Sequence, residues 1–345
     1  MKKTLKMITL LLCGGFCFYL CTRFSQVAES AKNALSTGVN VLIPSLFPFF
    51  VISDLLVDIL CDTGVKIPLI YKKLFKMPKS TFGVFVCGII SGYPVGAKAS
   101  YDLYEKSVIS KSDAEDLICF TNNSGPLFII CAIGCGMLKS MQAGVMLYVI
   151  HILGAFITGM MIARSRKATA KEIYANDKRD KFNLAYAIEK GFMQSIKVVG
   201  FVVFFGIVTD MIVDISQIFG IFETPIGAIM LSALEMTNGI VKTARLFDTE
   251  TAMCIISFAC GFSGVSVYFQ TALVTKGMLD LKKYVVYKLF NGIICMCICK
   301  CSLLIKDMDF ACAEYYKTDI VYMVCLGVCY TMFTYYLFKM KTSQK

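Results

Sequence analysis

The sequence predicts an all-α integral membrane protein with about eight transmembrane helices and two re-entrant hairpins in an inverted-topology repeat. Three observations carry this prediction: the composition, the length of the apolar runs and the placement of positive charge. Of the 345 residues, 57% are hydrophobic and 17% are charged, whereas soluble domains are about 25% charged. This composition excludes a soluble enzyme and a disordered chain.

Eight apolar runs account for the predicted spans, since one span takes about 20 apolar residues. The runs cover residues 5–21, 38–60, 82–97, 141–163, 196–213, 224–241, 284–305 and 320–338. The first run follows three lysines but ends without a small-residue cleavage site, so we expect an uncleaved span rather than a signal peptide.

Two further apolar stretches, 116–138 and 251–274, are interrupted in the middle. The interruptions are TNNSGP at 121–126 and CGFSGVS at 260–266. Lipid cannot satisfy the backbone groups that a helix break leaves unpaired, so such breaks are buried in protein or line a watery cavity. Both stretches are predicted to be re-entrant hairpins.

The placement of charge supports this topology and explains the net charge of +11. Lysine and arginine dominate the loops at 61–80, 164–181, 242–250 and 276–283 and the C-terminal tail. These segments are therefore predicted to be cytoplasmic, as both termini are. The loop at 99–116 carries five acidic residues and two lysines, which favours the outside. The predicted sides of successive loops are consistent only if each interrupted stretch leaves the membrane on the side where it enters. Positive charge in short loops indicates contact with a lipid bilayer, not with nucleic acid.

The order span, span, hairpin, span occurs twice and divides the chain. The first repeat covers 38–163 and the second 196–305, and they start from opposite sides of the membrane. Residues 1–37 form an N-terminal helix and connector, 164–195 a basic linker, and 306–345 a final helix and tail. Ser91–Lys98 corresponds to Glu235–Lys242, and Ser124-Gly125 to Ser263-Gly264. Inverted repeats with discontinuous helices are typical of secondary transporters, whose substrate site lies at the repeat interface.

Four segments carry a resemblance to a known family: PSLFP at 44–48, SGYPVGAK at 91–98, NNSGPLFI at 122–129 and GFSGVSVYFQ at 261–270. With them the chain resembles, over nearly its whole length, the YlbJ-like sporulation integral membrane proteins of the nucleoside-recognition gate group. The resemblance implies movement of dipicolinic acid, a small aromatic dicarboxylate, and localisation to a forespore membrane or an ordinary cell membrane. The wider gate group is similar to concentrative nucleoside transporters, which implies a nucleoside as the competing cargo.

The candidate substrate-binding residues lie at the interruptions. They are Ser91, Tyr93, Lys98, Asn122, Asn123, Ser124, Gly125, Glu235, Asn238, Ser263, Gly264, Ser266 and Gln270. Helix N-termini, amides and hydroxyls at these positions suit carboxylate oxygens or ribose hydroxyls equally well. Lys98 and its counterpart Lys242 either neutralise an anion or lie at the membrane interface. Glu235 either carries a coupling proton or pairs with Lys242.

Other classes of function find less support in the sequence. The 17 cysteines contain no CxxC pair and have no nearby histidine, so no metal site is expected. HExxH and GxSxG are absent, and we expect no enzyme and no cofactor beyond a coupling proton or sodium ion. A non-transporting receptor or a sporulation assembly factor is the third alternative, and the chain could form a homo-oligomer.

Overall fold

The computed structural model describes residues 2–62, 69–166, 183–216 and 223–305. Every regular element in these ranges is helical. The predicted final span at 320–338, the C-terminal tail and most of the basic linker lie outside the described residues.

The described helices are numbered here in chain order. They are α1 Lys2–Thr22, α2 Phe24–Thr37, α3 Ile43–Asp62, α4 Leu69–Phe75, α5 Phe82–Ile90, α6 Val95–Glu105, α7 Lys111–Thr121, α8 Leu127–Met137, α9 Met141–Ser165, α10 Leu184–Ser216, α11 Pro225–Leu234, α12 Met236–Leu246, α13 Thr249–Phe262, α14 Gly264–Val274 and α15 Lys282–Ile305. A π turn at Gly38–Leu42 joins α2 to α3, and α8 is itself wound in the wider π form.

Four of the described segments are long and apolar enough to cross a membrane. They are Met141–Ser165, Leu184–Ile215, Thr249–Val274 and Lys282–Leu304. A fifth is the pair Lys6–Thr22 and Phe24–Asn40, which is bent by 96°. These segments confirm a helical membrane protein with several spans.

Besides the bend between α1 and α2, the described residues contain four helix breaks, and local sequence explains three of them. Pro94 and Pro126 each lack the N–H that a continuing helix would use, so α5 and α7 end just before them. At Ser263 the backbone turns to a left-handed φ of 73°, which ends α13. The fourth break, at Glu235, has an extended backbone and contains neither glycine nor proline.

Both halves of the chain contain broken helix pairs in a similar order. The first half has the long helix α3, the short helix α4, the broken pairs α5/α6 and α7/α8, and the long helix α9. The second half consists of α10, the broken pairs α11/α12 and α13/α14, and α15.

Ion pairs between loops correct the predicted side of loop 99–116. Arg166, just after α9, binds Asp113, and its Nη1 lies 3.0 Å from Oδ2 of Asp116. Asp116 also lies 3.1 Å from Nζ of Lys283. A membrane cannot separate partners in contact, so this loop lies at the same end as 164–166 and 276–283, and the prediction that places it on the opposite side from them was wrong. The acidic residues there pair with lysine and arginine from other loops, which charge counts taken loop by loop cannot show.

The predicted side of loop 242–250 needs the matching correction. Helices α13 and α15 run antiparallel, with Gly261 against Gly292 and Cys254 beside Cys299. The start of α13 therefore lies at the end of α15 that is remote from Lys282. Loops 242–250 and 276–283 are at opposite ends of the molecule, so they are not both cytoplasmic.

Capping and aromatic packing hold the two ends in place. Asp248 accepts a hydrogen bond from the backbone N–H of Thr251 at 3.1 Å, which caps α13 and lowers the pKa of this carboxyl. At the opposite end, Phe75 stacks on Phe120 with ring centroids 5.1 Å apart. This contact packs α4 against the last turn of α7 in a buried hydrophobic cluster.

Candidate functional site

The breaks converge on one cavity between the two halves of the chain. Its volume is about 50 Å³, which is room for a few water molecules. The lining residues are Leu42, Leu46, Gly92, Tyr93, Ser124, Gly125, Phe128, Val198, Val202, Glu235, Met236, Thr237, Val267 and Gln270. One wall is apolar and comes from α10 and the segment that leads into α3. The opposite wall is polar and comes from the breaks.

Close backbone contacts hold the breaks together in each half. A Cβ atom on Gly125 would lie 2.7 Å from the carbonyl oxygen of Ser91, so only glycine fits this approach of two backbones. In the second half, a Cβ atom on Gly264 would lie 3.1 Å from the carbonyl oxygens of Ser232 and Ala233. Gly125 and Gly264 therefore each contact the preceding break of their own half.

Two of the four inner helix starts are capped by side chains. The carboxylate of Glu235 accepts hydrogen bonds from the backbone N–H groups of Thr237 at 3.1 Å and Asn238 at 2.7 Å. Its negative charge therefore stabilises the start of α12. Oδ1 of Asn122 accepts a hydrogen bond from the N–H of Ala97 at 3.3 Å, in the first turn of α6.

The starts of α8 and α14 have no side-chain cap among the described residues. Phe128 and Val267, from the first turns of these two helices, line the cavity. Backbone N–H groups at such helix starts are suited to bind an anion or another acceptor.

Five of the predicted site residues line the cavity: Tyr93, Ser124, Gly125, Glu235 and Gln270. Ser124 bridges the two halves, since its Oγ lies 4.0 Å from Sδ of Met236. Tyr93 does so too, because its hydroxyl donates a 2.6 Å hydrogen bond to the carbonyl of Cys260.

Asn122 and Asn123, two other predicted residues, lie behind the polar side of the cavity and stabilise it by hydrogen bonds. Nδ2 of Asn122 donates to Oγ1 of Thr271 and to the hydroxyl of Tyr284, each at 3.0 Å. Nδ2 of Asn123 donates to the carbonyl of Phe120 at 2.8 Å. Both side chains are buried, so they support the breaks rather than face the cavity.

The remaining predicted residues do not line the cavity. Nζ of Lys98 pairs with Asp102 at 2.6 Å within α6, so its charge is already matched by a neighbour. Oγ of Ser263 donates to the carbonyl of Phe262 and lies 3.4 Å from the Tyr284 hydroxyl. Oγ of Ser266 accepts from Gln270 at 3.3 Å. Ser91 and Gly264 contribute backbone contacts, and Asn238 contributes its N–H to Glu235.

A polar stripe on α15 is a functional feature that the sequence analysis missed. It consists of Tyr284, Lys288, Asn291 and Cys295, each at most 2% exposed. Nζ of Lys288 donates to Oδ1 of Asn123 at 3.1 Å and lies 5.3 Å from the centre of the Tyr93 ring. A lysine within an apolar run was the signal that could have found it.

His151 on α9 also reaches the polar wall. Its Nε2 accepts a hydrogen bond from the backbone N–H of Ser124 at 3.0 Å. Its Nδ1 is buried without a partner among the described residues. Those residues contain no cluster of three or more potential metal ligands.

Paired broken helices around a buried cavity, in a chain with several apolar spans, define a polytopic helical membrane protein. The chain is 28% identical to the sporulation integral membrane protein YlbJ of Bacillus subtilis (strain 168), in an alignment that covers 84% of this chain and 81% of that protein. This similarity supports the resemblance to YlbJ-like integral membrane proteins found in the motifs. No protein-family model matches the chain. No solved structure matches it either.

Proposed function

We propose that this protein is a membrane permease that moves a small aromatic anion, first of all dipicolinate, through the cavity during sporulation. The observation that carries the proposal is the convergence of four helix breaks on one cavity between two similarly ordered halves. Broken helices that meet near the middle of the membrane are the arrangement that secondary transporters use to bind their cargo. The sporulation role follows from the name of the similar Bacillus protein.

The corrected loop positions support a revised membrane topology. Because loop 99–116 lies at the same end as residues 164–166, α5 and α6 form a re-entrant hairpin and α7/α8 form a broken span. In the second half, α11 and α12 form the hairpin, and Thr249–Val274 is the broken span. With the final predicted segment at 320–338, the chain crosses the membrane eight times. The end that carries Arg166 and Lys283 is cytoplasmic by the positive-inside rule.

Three features of the site favour an anionic aromatic cargo. The uncapped starts of α8 and α14 offer N–H donors, and Tyr93 and Phe128 supply ring faces in the lining. Lys288 places a positive charge directly behind the polar wall. The charge of Glu235 is held by the start of α12, so the cargo binds toward the other breaks.

Uptake by proteoliposomes that contain the purified full chain tests the proposal, with dipicolinate and uridine assayed in parallel. Gln270→Met removes a hydrogen-bonding side chain from the cavity wall, and we expect it to lower dipicolinate uptake at least tenfold. Gln142→Met, the same substitution at an exposed position of α9, is the control and retains uptake. If the folded protein transports neither solute, the result contradicts the permease proposal and favours a receptor or an assembly factor.

A nucleoside is the second candidate cargo, and Glu235 is the observation that favours it. Glu235 is the one charged residue among those that line the cavity within the described chain. A carboxylate accepts hydrogen bonds from ribose hydroxyls but repels a dianion. Saturable uridine uptake that dipicolinate does not inhibit would establish this alternative.

A further inference from the structure

The buried lysine on α15 has a role that the proposed cargo site does not explain. Lys288 is 1% exposed and lies in the second turn of α15. No aspartate or glutamate lies within ion-pairing distance of it in the described part of the chain; Nζ contacts the amide oxygen of Asn123 and the face of the Tyr93 ring. A buried charge without a counter-ion is costly, so its presence in a membrane span points to function.

The surroundings of Lys288 suit either protonation state. An ammonium has three N–H groups and a neutral amine has two, and one of them satisfies Asn123 in both cases. The ionisable neighbours on the packed elements are Cys119 on α7, His151 on α9 and Cys295 on α15 itself. Tyr93 contributes from the break between α5 and α6, with Cys260 of α13 beyond it. None of these groups carries a fixed negative charge as a carboxylate does. The protonation state of Lys288 therefore responds to the charge of a solute in the cavity.

Lys288 is connected to the cavity by two short paths. Asn123, its hydrogen-bond partner, directly precedes Ser124 and Gly125 in the lining. Tyr93 has the lysine over its ring and also lines the cavity. An anion in the cavity therefore stabilises the ammonium, and the ammonium stabilises the anion by the same amount, because such coupling is reciprocal.

We propose that Lys288 carries the coupling proton of transport, so that one proton and one cargo anion bind and leave together. On loading, the amine nitrogen takes a proton from water on the side from which the anion enters. On unloading, the same N–H bond breaks, and the proton returns to water on the other side. This inference rests on the proposed function, since it names the ion that drives the same site.

Calorimetry on the purified full chain tests proton uptake without any need for flux. Titration with dipicolinate in two buffers of different ionisation enthalpy counts the protons taken up on binding, and we expect about one per dipicolinate. Lys288→Gln retains an N–H for Asn123 and should take up no proton. Lys288→Arg carries a permanent charge, so we expect it to bind dipicolinate without proton uptake and to lose accumulation against a gradient. The thermal stability of each variant shows that it is folded, and Lys276→Gln, which changes an exposed lysine, behaves as the wild type.

The outcomes separate this inference from the permease proposal. Unchanged proton uptake in folded Lys288→Gln and Lys288→Arg overturns the role of Lys288, even if dipicolinate is transported. Proton uptake lost in both variants supports Lys288 as the group that takes up a proton together with the anion, even if liposomes show no flux; in that case only the permease proposal fails. Transport by the wild type with no proton uptake on binding leaves the permease standing and refutes the coupling through Lys288.

Discussion

Replacement of Asn122 by alanine should destabilise the protein by about 2–4 kcal/mol, because this side chain joins three helices. It is fully buried and bonds to Ala97, Thr271 and Tyr284. Side-chain hydrogen bonds in a membrane protein average about 0.6 kcal/mol, so the loss of two of them costs about 1 kcal/mol. The N–H of Ala97 is then left buried without an acceptor, which costs about 1–3 kcal/mol more.

Thermal unfolding followed with a thiol-reactive dye measures this effect. The chain has no tryptophan but 17 cysteines, and Cys119, Cys260 and Cys295 are buried free thiols that react once the fold opens. At about 2–4 °C per kcal/mol for chains of 150–250 residues, we expect the Tm to fall by about 5–15 °C.

The matched control is Asn238→Ala. Asn238 is a partly buried asparagine that contributes its backbone N–H to Glu235, and this bond survives the substitution. We expect its Tm to stay within about 2 °C of the wild type, in line with a change of about 0.5 kcal/mol. Equal shifts for the two variants would refute the argument that Asn122 organises the breaks.

Three further predictions test the fold. Gly125→Ala forces a Cβ atom to within 2.7 Å of the Ser91 carbonyl oxygen, so the two breaks must move apart. We expect loss of dipicolinate binding and a Tm lowered by more than about 5 °C. Dipicolinate binding equal to that of the wild type would contradict this contact. In right-side-out vesicles, a membrane-impermeant maleimide should label Asp248→Cys but not Ser107→Cys, with the reverse in inside-out vesicles; labelling of both from one side contradicts the revised topology. Lys276→Ala removes an exposed ion pair, which is worth at most about 1 kcal/mol, so a Tm shift above about 4 °C would show that this loop contact matters more than its exposure implies.

The class of fold and most of the helix breaks could be predicted from the sequence, because both depend on local residues. Apolar length identifies spans, and Pro94, Pro126 and the left-handed Ser263 interrupt helices wherever they lie. The path of the chain after a break depends on distant contacts instead. Arg166 meets Asp113 across more than 50 positions, and no local pattern distinguishes a broken span from a hairpin.

The candidate site also contains some residues that local sequence indicates and one that only the packing of the helices brings into place. Tyr93, Ser124, Gly125 and Gln270 stand in motifs with glycine, serine or asparagine, which mark irregular backbone in an apolar run. Lys288 has no such context, so its place behind the cavity emerges only when α15 packs against the breaks. Lys98 was given a role in binding an anion, and its pairing with Asp102 one turn away gives its charge a structural partner.

The two walls of the cavity are held together by different kinds of contact, and this difference affects how the cavity can open. Behind the polar wall, Asn122 and Tyr93 link the two halves by hydrogen bonds to Thr271 and to Cys260. On the other wall, Leu42, Leu46, Val198 and Val202 face one another with aliphatic side chains. Aliphatic surfaces separate without breaking a directional bond, so on the proposed function we expect the two halves to hinge about the hydrogen-bonded side and the gap to widen between α3 and α10. Cargo would then exchange through this aliphatic contact, with the hydrogen-bonded side as the axis.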